Sequence, residues 1–253
     1  MFPVYVLLPP SETKRADGNG PALNLDELRF PGLTPTRSQL IEAADRLVAD
    51  LPAARAALKV AGSLDGEIGH NARLLTAATM PAMSRYSGVL YAAMNAPKLS
   101  RIEDSRAAGR ILITSALFGL VTGGDSIPPY RLSAGSRLPG IPTLAALWRP
   151  CVTAALAELD EPILDLRSGA YAAFGSAASA ITVRVVTVSR AGEVKPVSHD
   201  NKAVKGVLAR LVATTRAEID TPAKLVTLAC RNGLTVRRTG PASIDLRAPV
   251  ATG

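Results

Sequence analysis

The apolar residues of this chain fall into two alternating patterns, short uniform runs and longer stretches with helical spacing. Residues 4–8 (VYVLL) are uniformly apolar and stop at Pro9-Pro10, which predicts a buried strand ending in a loop. Residues 11–34 are polar and rich in Gly and Pro, a long loop of the kind that often carries function. From Thr36 to Leu51, Leu40, Ala43, Ala44 and Leu47 share one helical face, and Pro52 reads as the stop. Further helical stretches are predicted over 53–60 and 66–78, with a turn over 62–66. Residues 110–120 (RILITSALFGL) read as one central strand running into the loop Thr122-Gly123-Gly124-Asp125. Pro142 to Leu159 reads as a helix with its proline near the start. Pro162 to Leu166 reads as another short buried strand.

The last third carries the clearest alternation. Residues 180–189 interleave Val with polar positions, a half-exposed strand followed by a turn at Ala191-Gly192. Asp200 to Arg216 reads as a helix capped by Asp200 or Asn201, and Thr221 to Asn232 as a helix ending at Gly233. Short strands are predicted over 234–238 and 243–247. No internal repeat or linker interrupts the pattern. It predicts a single compact α/β domain over residues 1–253, a central mixed sheet flanked by helices.

Composition narrows the class. Hydrophobic residues make up 47% of 253, enough for a core, and charged residues 20%, which excludes a disordered chain. Aromatics are only 4%, so Ala, Val, Leu and Ile must build the core. The uncharged stretch between Arg167 and Arg184 is mostly Ala, Ser and Gly, too weakly apolar for a membrane span. The N-terminus lacks the basic lead and small-residue cleavage site of a signal peptide. A cytoplasmic protein with no membrane contact is expected. Cys151 and Cys230 are far apart and read as buried thiols; His70 and His199 form no zinc spacing with them. No metal and no cofactor are predicted.

Charge is unevenly spread. Residues 1–183 hold 17 Lys and Arg against 16 Asp and Glu, residues 184–253 hold 12 against 5. Such asymmetry is the usual footprint of an anionic partner, DNA or a small phosphate-bearing ligand, although a merely basic surface produces the same count. On the helix from Asp200, Val204, Val207, Leu208, Leu211 and Val212 fall on one side, and Lys202, Lys205 and Arg216 on the other.

Candidate chemistry gathers after predicted strands. Ser11-Glu12-Thr13-Lys14 follows the first, at the end where α/β sheets bind ligands. Its S-x-x-K spelling is shared with penicillin-binding proteins, but there the serine opens a buried helix, so that reading is set aside. Ser115 lies in the strand leading to Tyr130 and Arg131, Ser168 and Tyr171 follow the strand ending at Leu166, and Tyr91 follows Val89-Leu90. Each alone is a common turn or cap residue. Together they predict one polar pocket.

The blocks LLPPSETK, RYSGVLYAAM, LITSALFGL with IPPYRL, Leu147-Trp148 with Pro150, DLRSGAY and SHDNKAVKG resemble, in order, the signature blocks of the YaaA family of peroxide stress proteins. The resemblance implies a compact α/β fold with a positively charged cleft. It also implies cytoplasmic protection from hydrogen peroxide by limiting free iron and the DNA damage it causes. DNA binding through a helix-hairpin-helix element is implied as well, for which residues 62–69 are the candidate hairpin. Carried over by position, the family's site residues fall on Ser11, Lys14, Tyr91, Tyr130, Arg131, Ser168, Tyr171, Lys202, Lys205 and Arg210. Two departures stand out: Ala116 where the family has Gly, and Thr122-Gly123-Gly124 where it has Arg-Pro in a loop expected to border the cleft.

Two functional expectations follow. One is a peroxide-stress protein holding DNA or another phosphate-bearing ligand. The other is an enzyme acting on a small anionic, nucleotide- or nucleoside-like substrate. In the second, Lys14, Ser11 and Tyr171 are catalytic, while Tyr91, Ser115, Tyr130, Arg131, Ser168, Lys202, Lys205 and Arg210 bind.

Overall fold

The structure, a computed structural model, describes residues 4–188, 194–196 and 201–248. The turn at Ala191-Gly192, His199 and the Asp200 cap lie outside them. Strands are β1 (Tyr5–Leu8), β2 (Met80–Pro81), β3 (Ile111–Ser115), β4 (Gly119–Thr122), β5 (Ser126–Ile127), β6 (Ile163–Asp165), β7 (Ile181–Val188), β8 (Val194–Pro196), β9 (Val236–Gly240) and β10 (Ser243–Arg247). Helices are α1 (Thr34–Leu47), α2 (Leu51–Leu58), α3 (Asp65–Ile68), α4 (Ala82–Arg85), α5 (Val89–Met94), α6 (Arg101–Arg110), α7 (Leu144–Ala157), α8 (Gly169–Ala172), α9 (Asn201–Thr214) and α10 (Pro222–Arg231).

The main sheet runs β4-β3-β1-β6-β7-β10-β9, with β8 paired to β7 off this path. Its centre is parallel: β1 lies between β3 (Val6 opposite Ile111) and β6 (Val6 opposite Leu164). Parallel central strands are covered on both faces, which is why β1 and β3 are buried at every position and read as unbroken apolar runs. The two ends of the sheet, β4 and β9, are antiparallel. This is the α/β domain with a mixed sheet and flanking helices that the pattern predicts.

The run at 110–120 is not one strand. Arg110 ends α6, and the chain reverses after Ser115, whose Oγ accepts from the N–H groups of Leu117 and Phe118 at 3.2 and 3.1 Å. Trp148, fully buried on α7, closes over this reversal and donates to the Ala116 carbonyl at 2.9 Å. Pro52 does not stop a helix but starts one: Asp50 caps α2 by accepting from Ala53 N–H, and proline suits the first turn. The stretch over 66–78 is a single turn, α3, followed by a tight turn over 69–73 rather than a full helix.

The long loop after β1 is tied down rather than free. Lys14 bridges to Tyr86 and Gly20 to Thr79. The wholly buried Arg85 donates from Nη1 to the carbonyls of Arg15 (2.6 Å) and Asp17 (2.5 Å), from Nη2 to Ala78 (3.1 Å) and from Nε to Ile127 (3.1 Å). Its burial without a directly paired carboxylate brings its pKa down to about 10.

Helix α9 is covered on more sides than its wheel implies. Lys205, Gly206, Leu208, Ala209, Val212 and Ala213 are buried, whereas Val207 is exposed. Gly206 sits against the Leu90 carbonyl of α5, where a Cβ would overlap that oxygen. Lys205 reaches under the helix and donates to the Leu166 carbonyl at 3.1 Å, with Arg167 O at 3.5 Å. The expected basic face of Lys202, Lys205 and Arg216 therefore loses Lys205 to the end of β6.

Candidate functional site

Because β1 and β6 are parallel neighbours, the segments leaving their C-terminal ends emerge on the same edge of the sheet. Between them, α5 and the start of α9 enclose a cleft of about 500 Å³, within the range of small-molecule sites. Its walls are Pro9 to Thr13 after β1, Gly88 to Tyr91 entering α5, Ser133 to Gly135, Ser168 with Ala170 and Tyr171 after β6, and Lys202. Gly88 has φ +107°, and a Cβ there would stand 2.7 Å from Ser11 Oγ. Glycine thus lets α5 start directly against the β1 loop.

The cleft groups differ in what they have left to give. Tyr91 Oη donates to the Pro9 carbonyl at 2.8 Å, so it braces the wall. Tyr171 Oη accepts from Ala134 N–H at 3.2 Å, and its own O–H meets no acceptor among the described residues. Burial first, then the Glu12 charge, holds the Tyr171 pKa above the ordinary tyrosine value, so it stays a donor. The Ser11 and Ser168 hydroxyls and the Lys202 ammonium have no protein partner among the described residues. The cleft's charged lining residues, among those described, are Lys202 and Glu12.

Ser11, Tyr91, Ser168, Tyr171 and Lys202 thus share one cleft, while Lys14, Tyr130, Arg131 and Ser115 stand behind its wall. Lys14 Nζ lies over the Tyr130 ring, 4.2 Å from its centroid, and donates to the Glu12 carbonyl at 3.2 Å. Tyr130 Oη is 2.8 Å from Tyr86 Oη and 2.9 Å from Ser115 Oγ. Ser115 is fully buried and its hydroxyl is spent on the chain reversal and on Tyr130, so it braces the fold instead of facing the cleft. Burial pushes Tyr86 up to about 12 and Tyr130 well above its ordinary value. Arg131 pairs with Glu67 at 2.8 Å and faces Glu12 at 3.6 Å.

Lys205 and Arg210 do not reach the cleft. Lys205 is buried under α9, and desolvation lowers its pKa. Arg210 closes the C-terminal end of α5, donating to the carbonyls of Met94 (3.0 Å), Asn95 (2.7 Å) and Lys98 (3.3 Å). The Thr122-Gly123-Gly124 loop does not border the cleft either. Thr122 pairs with Leu112 near the start of β3, and Gly124 N–H bonds Ala108 of α6, at the opposite edge of the sheet. Ala116 is buried beneath Trp148. The two departures from the family pattern therefore change the core and the far edge, not the ligand wall. The candidate hairpin over 62–69 carries Asp65, paired with Arg55, and Glu67, paired with Arg131. Cys151 is half-buried and Cys230 exposed, both free thiols, so neither is the buried thiol expected.

Lys14 sets a pH dependence. Desolvation brings its ammonium down from 10.5 to about 8; Glu12 opposes this and Arg131 adds to it. Between those two values the unfolded chain holds a proton that the folded chain has released, so stability is expected to rise with pH across that window. The Lys14→Met variant should lack this rise in urea titrations run at pH 7 to 10. An identical slope in both proteins would show that Lys14 titrates normally.

Fold and site together define an open-sheet α/β protein with a ligand-sized cleft at the C-terminal ends of its parallel strands. The chain belongs to the family of the peroxide stress protein YaaA, whose family model matches residues 4–238. It is 46% identical over 239 residues to a UPF0246 protein of Corynebacterium efficiens, covering 92% of this chain and 94% of the relative. It is 40% identical over 244 residues to a UPF0246 protein of Streptomyces coelicolor, covering 94% of each. No helix of the described residues is long and apolar enough to cross a membrane, and none of their His, Cys, Asp and Glu side chains gather in threes around a candidate metal position.

Proposed function

We propose that this chain serves the peroxide stress response of its family in the cytoplasm by holding a small phosphate-bearing anion in the cleft, and that the bound state lowers iron-dependent damage. One observation carries the reading. The unpartnered Ser11 and Ser168 hydroxyls, the Tyr171 O–H and the Lys202 ammonium all border the same cleft of about 500 Å³. Unspent donors beside a lone cation are what an anionic ligand group needs.

A cell lacking the gene should regain resistance to hydrogen peroxide when the wild-type chain is restored, and not when Lys202→Met is restored. Lys202 is exposed, so the variant's Tm should stay within about 2 °C of wild type. Full rescue by Lys202→Met would contradict the reading.

DNA is the second reading, favoured by the charge of the last third, where Arg231, Arg237, Arg238 and Arg247 are exposed. In this reading those arginines, rather than the buried Lys205, contact phosphates, and affinity falls steeply with salt. Turnover of a bound nucleotide-like ligand would draw on Lys14, whose amine is partly neutral near pH 8, and on Ser11 and Tyr171, which line the cleft.

A further inference from the structure

Resting on the anion-binding reading, we infer that Glu12 selects the ligand: its carboxylate accepts from a hydroxyl or amino group of the molecule whose anionic end Lys202 holds. The ligand class is then a phosphate ester rich in hydrogen-bond donors, such as a sugar phosphate or a nucleotide, and not a bare phosphate.

Glu12 is an apparent misfit. An anion site gains nothing from a carboxylate in its wall, yet Glu12 lines the cleft and is half-exposed. Its position is built, not incidental. Lys14 holds the Glu12 backbone through the carbonyl, at 3.2 Å. Arg131, anchored by Glu67 at 2.8 Å, faces the Glu12 carboxylate at 3.6 Å, beyond hydrogen-bond range. The charge of Arg131 steadies the carboxylate while its oxygens remain free to accept. Glu12 and Tyr171 line the same cleft, from the loop after β1 and from α8 after β6. Among the described residues the cleft thus offers donors from Ser11, Ser168, Tyr171 and Lys202, and Glu12 as the charged acceptor. Bare phosphate satisfies the donors and is repelled by the acceptor. A phosphate ester of a polyol satisfies both.

Calorimetric titration of the full chain with inorganic phosphate, ribose 5-phosphate and adenosine 5′-monophosphate tests this. The wild type should bind ribose 5-phosphate about tenfold more tightly than phosphate, the effect of one hydrogen bond to a charged group. Glu12→Gln should erase most of that advantage while binding phosphate as well as before or better, with Tm unchanged. Adenosine 5′-monophosphate binding more tightly than ribose 5-phosphate would support a nucleotide as the ligand; equal binding would support a sugar phosphate. Equal wild-type affinity for phosphate and ribose 5-phosphate overturns the inference, as does a Glu12→Gln loss shared equally by all three ligands. Failure of the wild type to bind any of the three would instead overturn the anion-site reading, and this inference with it.

Discussion

Replacing Gly206 with alanine should lower the melting temperature by about 6 °C, although alanine is the better helix former by about 1 kcal/mol. Gly206 lies within α9 where that helix rests on α5. A Cβ would overlap the Leu90 carbonyl and stand 2.9 Å from the Ala93 Cβ. A backbone carbonyl inside a packed helix pair cannot turn aside as a flexible side chain can, so the two helices must part. Overpacking against rigid atoms costs about 3 kcal/mol, exceeding the gain in propensity. The displaced helix carries Lys202 of the cleft wall, so ligand binding should weaken along with stability. Circular dichroism melts decide the sign: an unchanged or higher Tm would mean that α9 does not lie this close to α5.

Arg85→Met should be the more severe change, costing about 4 kcal/mol or more. Arg85 is wholly buried and its guanidinium serves the carbonyls of Arg15, Asp17, Ala78 and Ile127. Methionine fills much of the volume but removes the guanidinium donors from four carbonyls, one buried and three part-buried. The loss falls on the loop after β1, whose first residues form the cleft wall. Urea unfolding should show the lower stability, and limited proteolysis should show early cutting within 11–34. Arg85→Lys should not restore it, because one ammonium cannot span carbonyls arranged around a planar fork. Near wild-type stability of either variant would contradict this account of the loop.

How legible all this was in sequence follows from which forces acted locally. The buried run at 4–8 and the strand at 243–247 stand where their patterns predict, the first because a parallel inner strand needs an apolar run, the second because Ile244 and Leu246 alternate with polar positions. The helices predicted over 200–216 and 221–232 were legible to within two residues. The hairpin hidden in 110–120 was not, because both of its strands are wholly buried and the reversal between them is apolar too. Its one signal was Ser115, a hydroxyl placed to cap the turn rather than to meet a ligand. The helices between 82 and 110 are short and irregular, though Ser100 and Glu103 spell the capping box that opens α6.

In the candidate site, the strand-end clusters indicated the edge of the sheet at which Ser11, Ser168 and Tyr171 line one cleft. Lys205 and Arg210 misled because a wheel assumes one buried face, and α9 is packed on several. Arg85 was not legible: nothing in a sequence distinguishes an arginine that braces four carbonyls from one on the surface. Lys14, Arg131 and Glu12 acquire their roles only through the crossing of the β1 loop with residues far along the chain.

The cleft between the β1 loop, α8 and α9 is the proposed ligand site. The most direct measurement is an amide chemical-shift map of the full chain titrated with ribose 5-phosphate. The account predicts saturable shifts at Ser11, Glu12, Ser168, Gly169 and Lys202, and none in the hairpin over 62–69 or on β9. Shifts confined to that hairpin or to β9, or no saturable shift at the cleft amides, would contradict it.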